Sequence, residues 1–312
     1  MKEIYTVLEF LAEENRTVLT PWRIHLLLRR KVDPFYPEEK VYRLIRKLER
    51  EELITLLAGN RRRGVYQVTS PYAPREINPL EVIGEAYYSA VFCYATTLEL
   101  NRLSDQRSRE IHIYLPKSSH GQTIKVKKGD EDQSFNLSTI IPPGSTPSEW
   151  RLTPLPAYVE LRMSKGYTLK IHSIKTAWMF GFEIAESTDV LVRRTDTERA
   201  LIDGLRFPKY CGGLSEVFRS WVRALESIEV DKLIDYTERF NQLILYQRIG
   251  FVMETLGLQH EALETWKEEK TIRGGSRVLN PEQGYATAYS EDWQISINHP
   301  VGILETKDAS YS

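Results

Sequence analysis

A chain of 312 residues, 41% hydrophobic and 11% aromatic, can bury a core, is too apolar for wholesale disorder and is long enough for two or more domains. Only two cysteines occur, Cys93 and Cys211, which excludes a disulfide scaffold, gives no zinc spacing and sets the expectation of a reduced, cytoplasmic setting. The net charge of −1 is unevenly spread: residues 1–70 carry 14 Lys and Arg against 10 Asp and Glu, whereas the other 242 carry 28 against 33. A basic front and a mildly acidic body suit a nucleic-acid module joined to a protein-contacting one.

The start, Met1-Lys2-Glu3-Ile4, opens a charged periodic segment rather than a secretion signal. No run approaches the roughly 18 apolar residues of a membrane span, so no membrane partner is expected. Ile4, Val7, Leu8 and Leu11 recur at helical spacing and predict a first helix. Thr20 before Pro21 is an N-cap followed by proline at the first helical position, which predicts a second helix from Pro21 to about Arg30.

The prolines of Asp33-Pro34-Phe35-Tyr36-Pro37 mark a loop, and a third helix is predicted over Glu38 to Glu51. Val41, Leu44, Ile45 and Leu48 form its core stripe; Arg43, Arg46, Lys47 and Arg50 fall on the opposite face with Glu39. Leu53–Leu57 and Val65–Thr69 read as two strands around a basic loop, Ala58 to Gly64, that contains Arg61, Arg62 and Arg63. Three helices and a hairpin are the winged helix-turn-helix order. A helix with one basic face fits the major groove, and an arginine-tipped wing can lie on the backbone or reach a minor groove.

Three prolines, Pro71, Pro74 and Pro79, place a linker, so a winged-helix domain is expected over residues 1–72 and a second domain over 80–312. Leu80 to Leu103 predicts one or two core helices. Glu110–Leu115 alternates as a strand with Ile111, Ile113 and Leu115 on one face, and Gln122–Lys128 alternates likewise. Lys125, Lys127 and Lys128 are largely cancelled by Asp130, Glu131 and Asp132 and read as a solvated turn. Gly129 to Trp150 reads as a strand plus a long loop. Tyr158–Met163 and Tyr167–Ile171 suggest a hairpin around Ser164-Lys165-Gly166, and Val190-Leu191-Val192 a further strand.

A capping box at Thr195 and Glu198 then predicts a helix through Leu205, ended by Pro208. The stripe Leu214, Val217, Phe218, Trp221, Val222, Leu225 and Ile228 predicts another, and two more are expected over Val230–Phe240 and Leu243–Leu256. A charged stretch, Lys267 to Lys270, precedes a turn at Arg273-Gly274-Gly275, and Trp293–Ile297 alternates as a last strand. The fold class is thus α/β (α+β): a winged helix, then a larger mixed α/β domain with a helical block at about 197–260 and a short tail.

Four blocks carry a family resemblance. They are Tyr87-Tyr88-Ser89-Ala90, Arg194-Thr195-Asp196-Thr197-Glu198-Arg199-Ala200-Leu201-Ile202-Asp203, Pro208-Lys209-Tyr210-Cys211-Gly212-Gly213-Leu214, and Tyr246-Gln247-Arg248-Ile249-Gly250-Phe251-Val252-Met253-Glu254-Thr255-Leu256-Gly257. Over residues 80–260 the chain resembles the AbiEi-type antitoxins of phage-defence systems. The resemblance implies a transcriptional autorepressor that binds operator repeats in double-stranded DNA. It also implies a body that opposes a nucleotidyltransferase-like toxin encoded beside it. Arg43, Arg46, Lys47, Arg50, Arg61, Arg62 and Arg63 would then hold the operator, and homodimerisation on DNA stays open.

An active site is not expected. His25, His112, His120, His172, His260 and His299 form no metal-ligating pattern, and neither Gly212-Gly213 nor Gly274-Gly275 lies in a phosphate-loop context. Neither cofactor nor metal is expected. Asp189, Asp196, Glu198 and Asp203 invite a nuclease or nucleotidyltransferase alternative; the plainer reading makes Glu198, Arg199 and Asp203 a salt-bridged helix cap and surface. A third reading is a structural adaptor whose winged helix contacts protein.

Overall fold

The computed structural model describes residues 2–69, 73, 76–117, 158–163, 166–187, 190–271 and 277–305. The expected strands within 122–150, the Lys125 cluster, His120, Asp189 and the Arg273-Gly274-Gly275 turn lie outside the described residues. The chain is a mixed α/β protein, with N-terminal helices and a wing ahead of a larger α/β body.

In the N-terminal part, α1 (Lys2–Glu13), α2 (Pro21–Lys31) and α3 (Glu38–Arg50) surround one apolar cluster. The Thr20 side chain accepts the Arg23 backbone N–H at 3.3 Å and starts α2, ahead of Pro21 at the first helical position. Val41, Leu44, Ile45 and Leu48 are all buried, each worth roughly 1.5–3 kcal/mol of transfer free energy. The wing is the hairpin of β2 (Ile54–Asn60) and β3 (Arg63–Val68), tighter than expected. Asn60 pairs with Arg63, so only Arg61 and Arg62 form the turn. Gly59 lies at φ +81°, and a Cβ there would fall 2.2 Å from the Arg63 carbonyl oxygen. A two-residue strand, β1 (Val18–Leu19), adds to β3 and completes a sheet of order β1-β3-β2.

The body begins with α4 (Pro79–Ala86), capped by Asn78. It is followed by β4 (Val91–Phe92) and α5 (Tyr94–Leu100). A five-stranded sheet has the order β6-β5-β4-β8-β7, with β5 (Glu110–Pro116), β6 (Thr168–Ile174), β7 (Phe182–Ser187) and β8 (Val190–Thr195). The β5–β6 and β4–β8 pairs are parallel; β4–β5 and β7–β8 are antiparallel. Two expectations change here. Residues 158–163 form no strand, and β6 pairs with β5 instead of closing a hairpin with them. β5 is also buried on both faces: Ile111, Ile113 and Leu115 lie in one cluster and Tyr114 in the other.

The Tyr114 face carries the helical block: α6 (Thr197–Arg206), α7 (Leu214–Ala224), α8 (Val230–Phe240), α9 (Leu243–Thr255) and α10 (Ala262–Glu269). The block therefore runs past residue 260, because the expected charged tail starts inside α10. The cap of α6 is Asp196, whose Oδ1 accepts the Arg199 backbone N–H at 3.0 Å. Thr195, the expected cap, is instead the last residue of β8 and pairs with Phe182. A two-stranded ribbon, β9 (Tyr289–Ser290) with β10 (Ile295–Ser296), and the short α11 (Gly302–Glu305) close the described chain. Among the described residues no helix is long and apolar enough to cross a membrane.

The other sheet face shares its cluster with the N-terminal part. Val18 of β1 and Val65 of β3 pack with Val82 and Ile83 of α4 and with Phe92 and Ile113 of the sheet. Buried polar groups seal the junction. The Glu85 carboxylate accepts from Arg23 Nε at 2.6 Å and Arg16 Nη1 at 3.0 Å, and Glu81 accepts from the Thr17 hydroxyl at 2.6 Å.

Candidate nucleic-acid interface

Helix α3 aims its cations by arithmetic. With the stripe of Val41, Leu44, Ile45 and Leu48 fixed against α1 and α2, Arg43, Arg46 and Arg50 are driven outward and are exposed; Lys47 is half-buried at the edge of that face. Arg61, Arg62 and Arg63 are exposed on the wing. The fold brings these two groups together: one cleft is lined by Glu39, Tyr42, Arg43 and Arg46 of the helix and by Arg61 and Arg62 of the wing.

Two contacts hold the wing against the helix, and a third stiffens the wing itself. Arg61 Nε lies 3.2 Å from Glu49 Oε2, and the Arg62 guanidinium sits 5.7 Å from the Tyr42 ring centroid. The Tyr66 hydroxyl donates to the Arg61 carbonyl at 3.1 Å. Asn60 Oδ1 accepts the backbone N–H groups of Arg62 and Arg63, both at 3.0 Å, which fixes the turn. Tyr42 also donates to Glu38; burial, then that carboxylate, push its phenol up to about 12. Lys47 is 3.8 Å from Glu51 one helical turn on, a loose pair at the surface.

Tyr42, Glu49 and Tyr66 have no functional signal in the linear sequence. Tyr42 lies beside the apolar stripe, and Glu49 is one acid among many. Only the folded hairpin sets Tyr42 and Glu49 opposite Arg62 and Arg61.

The acidic cluster in the body is not the surface cap expected. Asp203 and Arg199 are fully buried, with Arg199 Nε 2.9 Å from Asp203 Oδ2, and Arg206 Nη1 is 3.0 Å from the other carboxylate oxygen. Asp196 accepts from the Tyr236 hydroxyl at 2.8 Å as well as capping α6. Glu198 takes the Glu229 backbone N–H at 3.0 Å and Lys232 Nζ at 3.0 Å. The pairing of Arg199 with Asp203 is as expected; its burial follows from α6 lying between the sheet and α7, α8 and α9. The Arg199 guanidinium is boxed by aromatic rings, 4.4 Å from the centroid of Phe240 and 4.7 Å from that of Phe180. Among the described residues no three His, Cys, Asp or Glu side chains are grouped to hold a metal ion.

The described histidines are scattered through the fold, apart from one pair. His25 is buried with Nε2 2.7 Å from the Tyr36 carbonyl oxygen, tying α2 to the loop before α3. His260 Nδ1 accepts the Ala262 backbone N–H at 3.0 Å, and His299 Nε2 is 2.8 Å from the Ser215 hydroxyl. His112 Nδ1 and His172 Nε2 are 3.0 Å apart on neighbouring strands. Burial, then the neighbouring His172, lower His112 to about 4, and burial lowers His172 as well.

No protein-family model matches the chain, and no curated protein matches it in sequence. Among solved structures, the crystal structure of the RV2827C protein from Mycobacterium tuberculosis is similar, with a TM-score of 0.51 at 11% identity. The match covers 97% of this chain and 94% of that one. At that identity the likeness concerns the fold.

Proposed function

We propose that this protein is a DNA-binding transcriptional regulator. In this reading α3 enters the major groove, with Arg43, Arg46, Lys47 and Arg50 on phosphates and base edges, while Arg61, Arg62 and Arg63 of the wing grip the adjacent backbone. The observation that carries it is the joining of the helix cations and the wing arginines along one cleft. Neutralising phosphates releases counterions, so each contact steepens the fall of affinity with salt.

The finer reading is an autorepressing antitoxin of a phage-defence system. It rests on the resemblance to AbiEi-type antitoxins in the blocks around Tyr87, Asp196, Cys211 and Arg248, and on a basic winged helix ahead of them. The body then serves as a platform for a nucleotidyltransferase-like toxin rather than as an active site of its own.

The test is duplex binding by fluorescence anisotropy, using the DNA upstream of the protein's own gene at two salt concentrations. Replacing Arg43, Arg46 and Lys47 together with alanine should weaken binding across sequences and flatten the log–log salt slope by roughly three. Equal affinity of parent and variant at both salt concentrations would overturn the reading.

A further inference from the structure

A second cleft lies in the body, with no residue in common with the α3–wing face. It has a volume of about 380 Å³ and runs between the β6 edge of the sheet and the 3-10 turn Pro208–Cys211. That volume is within the range of small-molecule sites, roughly 300–1,000 Å³. Four aromatic side chains line it, Tyr94, Trp178, Phe207 and Tyr210, together with His172. Its three charged lining residues, Lys117, Lys175 and Arg206, are all cations.

The positions of those cations follow from the topology. β5 and β6 run parallel, with Pro116 opposite Ile174, so Lys117 and Lys175 are the next residues at the carboxyl ends of two neighbouring parallel strands. The Lys117 backbone N–H donates to the Ile174 carbonyl at 2.8 Å and holds the two ends in register. The carboxyl end of a parallel strand pair is where open α/β sheets bind ligands. Lys175 Nζ is 4.9 Å from the Trp178 ring centroid, so a cation and a flat aromatic face adjoin. Arg206 shares the Asp203 carboxylate with Arg199, so two guanidiniums meet one anion and positive charge is left over at the cleft.

A second feature points the same way. Tyr94 has φ +53°, a left-handed conformation that bulky side chains rarely adopt. That turn sets its ring 4.9 Å from His172 and 5.1 Å from Tyr210, forming part of the cleft lining. Backbone strain of this kind clusters at ligand sites.

We propose that this cleft binds a nucleoside phosphate, with the base against the Trp178, Phe207 and Tyr210 rings and the phosphate at Lys117 and Lys175. The same chemistry is presented by a free mononucleotide and by the phosphorylated end of a single strand.

Isothermal titration of the full chain separates the sources. The ligands are the four nucleoside monophosphates, inorganic phosphate, adenosine, and a short single-stranded oligonucleotide with a 5′-phosphate. The expected result is saturable binding of a monophosphate or of the oligonucleotide, at least tenfold tighter than phosphate or adenosine. Tighter binding of the monophosphate identifies a free nucleotide; tighter binding of the oligonucleotide identifies a strand end. Lys175→Glu, at an exposed position, should weaken that binding at least tenfold while circular dichroism stays unchanged. Phosphate binding as tightly as every nucleotide, no saturable binding at all, or an unaltered Kd in Lys175→Glu overturns the proposal.

Discussion

Glu85 shows how one buried carboxylate can decide a junction. Burial alone would raise it, but the Arg23 and Arg16 guanidiniums outweigh that and hold its carboxyl below the ordinary value of 4.5. A depressed carboxylate stabilises the fold above its unfolded value, and the contribution is lost as pH falls through the folded one. Glu85→Gln leaves two buried guanidiniums without their anion, and the expected loss at pH 7 is about 3–5 kcal/mol. Urea unfolding should show the gap between parent and variant narrowing as the pH is lowered towards about 3; an identical gap at both pH values would rule out the carboxylate as its source. Glu49 acts in the opposite sense on the DNA-binding reading proposed above, since it pairs with Arg61 at 3.2 Å and would compete there with a phosphate. Glu49→Gln should tighten duplex binding by roughly two- to fivefold, the scale of one exposed ion pair, and anisotropy titration reads it directly. At the candidate interface, the outward placement of Arg43, Arg46 and Arg50 was legible because helical spacing alone turns them away from the apolar stripe. The supports of the wing were not, because the contacts of Glu49 and Tyr42 with the wing exist only after the hairpin folds back.

Legibility of the elements follows length and period. α2, α3, α8 and α9 are rich in recurring apolar residues, α2 and α3 also begin at prolines, and the expected bounds lie within a residue or so of the observed ones. β1 and β4 are two residues each, too short for any period to register, and they are strands only because β3 and β5 lie beside them. β7 was missed because it mixes exposed Glu183, Ile184 and Glu186 with half-buried Phe182 and Ala185 at the sheet edge. The cap of α6 moved from Thr195 to Asp196 because β8 claims Thr195 for its ladder. α9 also contains a close approach that no pattern announces. A Cβ at Gly250 would fall 2.1 Å from the Trp293 ring, which is itself held by its Nε1 donating to Glu254 at 2.6 Å. Gly250→Ala should therefore destabilise by about 1–3 kcal/mol through overpacking, although alanine is the better helix former by about 1 kcal/mol. A raised urea midpoint in that variant would show that the ring yields.

At the scale of the whole molecule, Val18 and Val65 lie in one apolar cluster with Val82, Ile83 and the central sheet, and the Glu81 and Glu85 contacts lie beside it. Separating the N-terminal part from the body would expose that cluster and take the Glu85 carboxylate from Arg16 and Arg23, which holds the two parts together. On an operator with two repeats, the direction in which each body projects is then dictated by the azimuth of its site around the duplex. Repeats a whole number of turns apart, about 10.5 base pairs each, bring both bodies to the same side; five extra base pairs send them to opposite sides. On the DNA-binding reading proposed above, bodies that touch when they share a side would make occupancy of paired sites rise and fall with spacing at the period of the double helix, and footprinting on a spacer series would trace that oscillation.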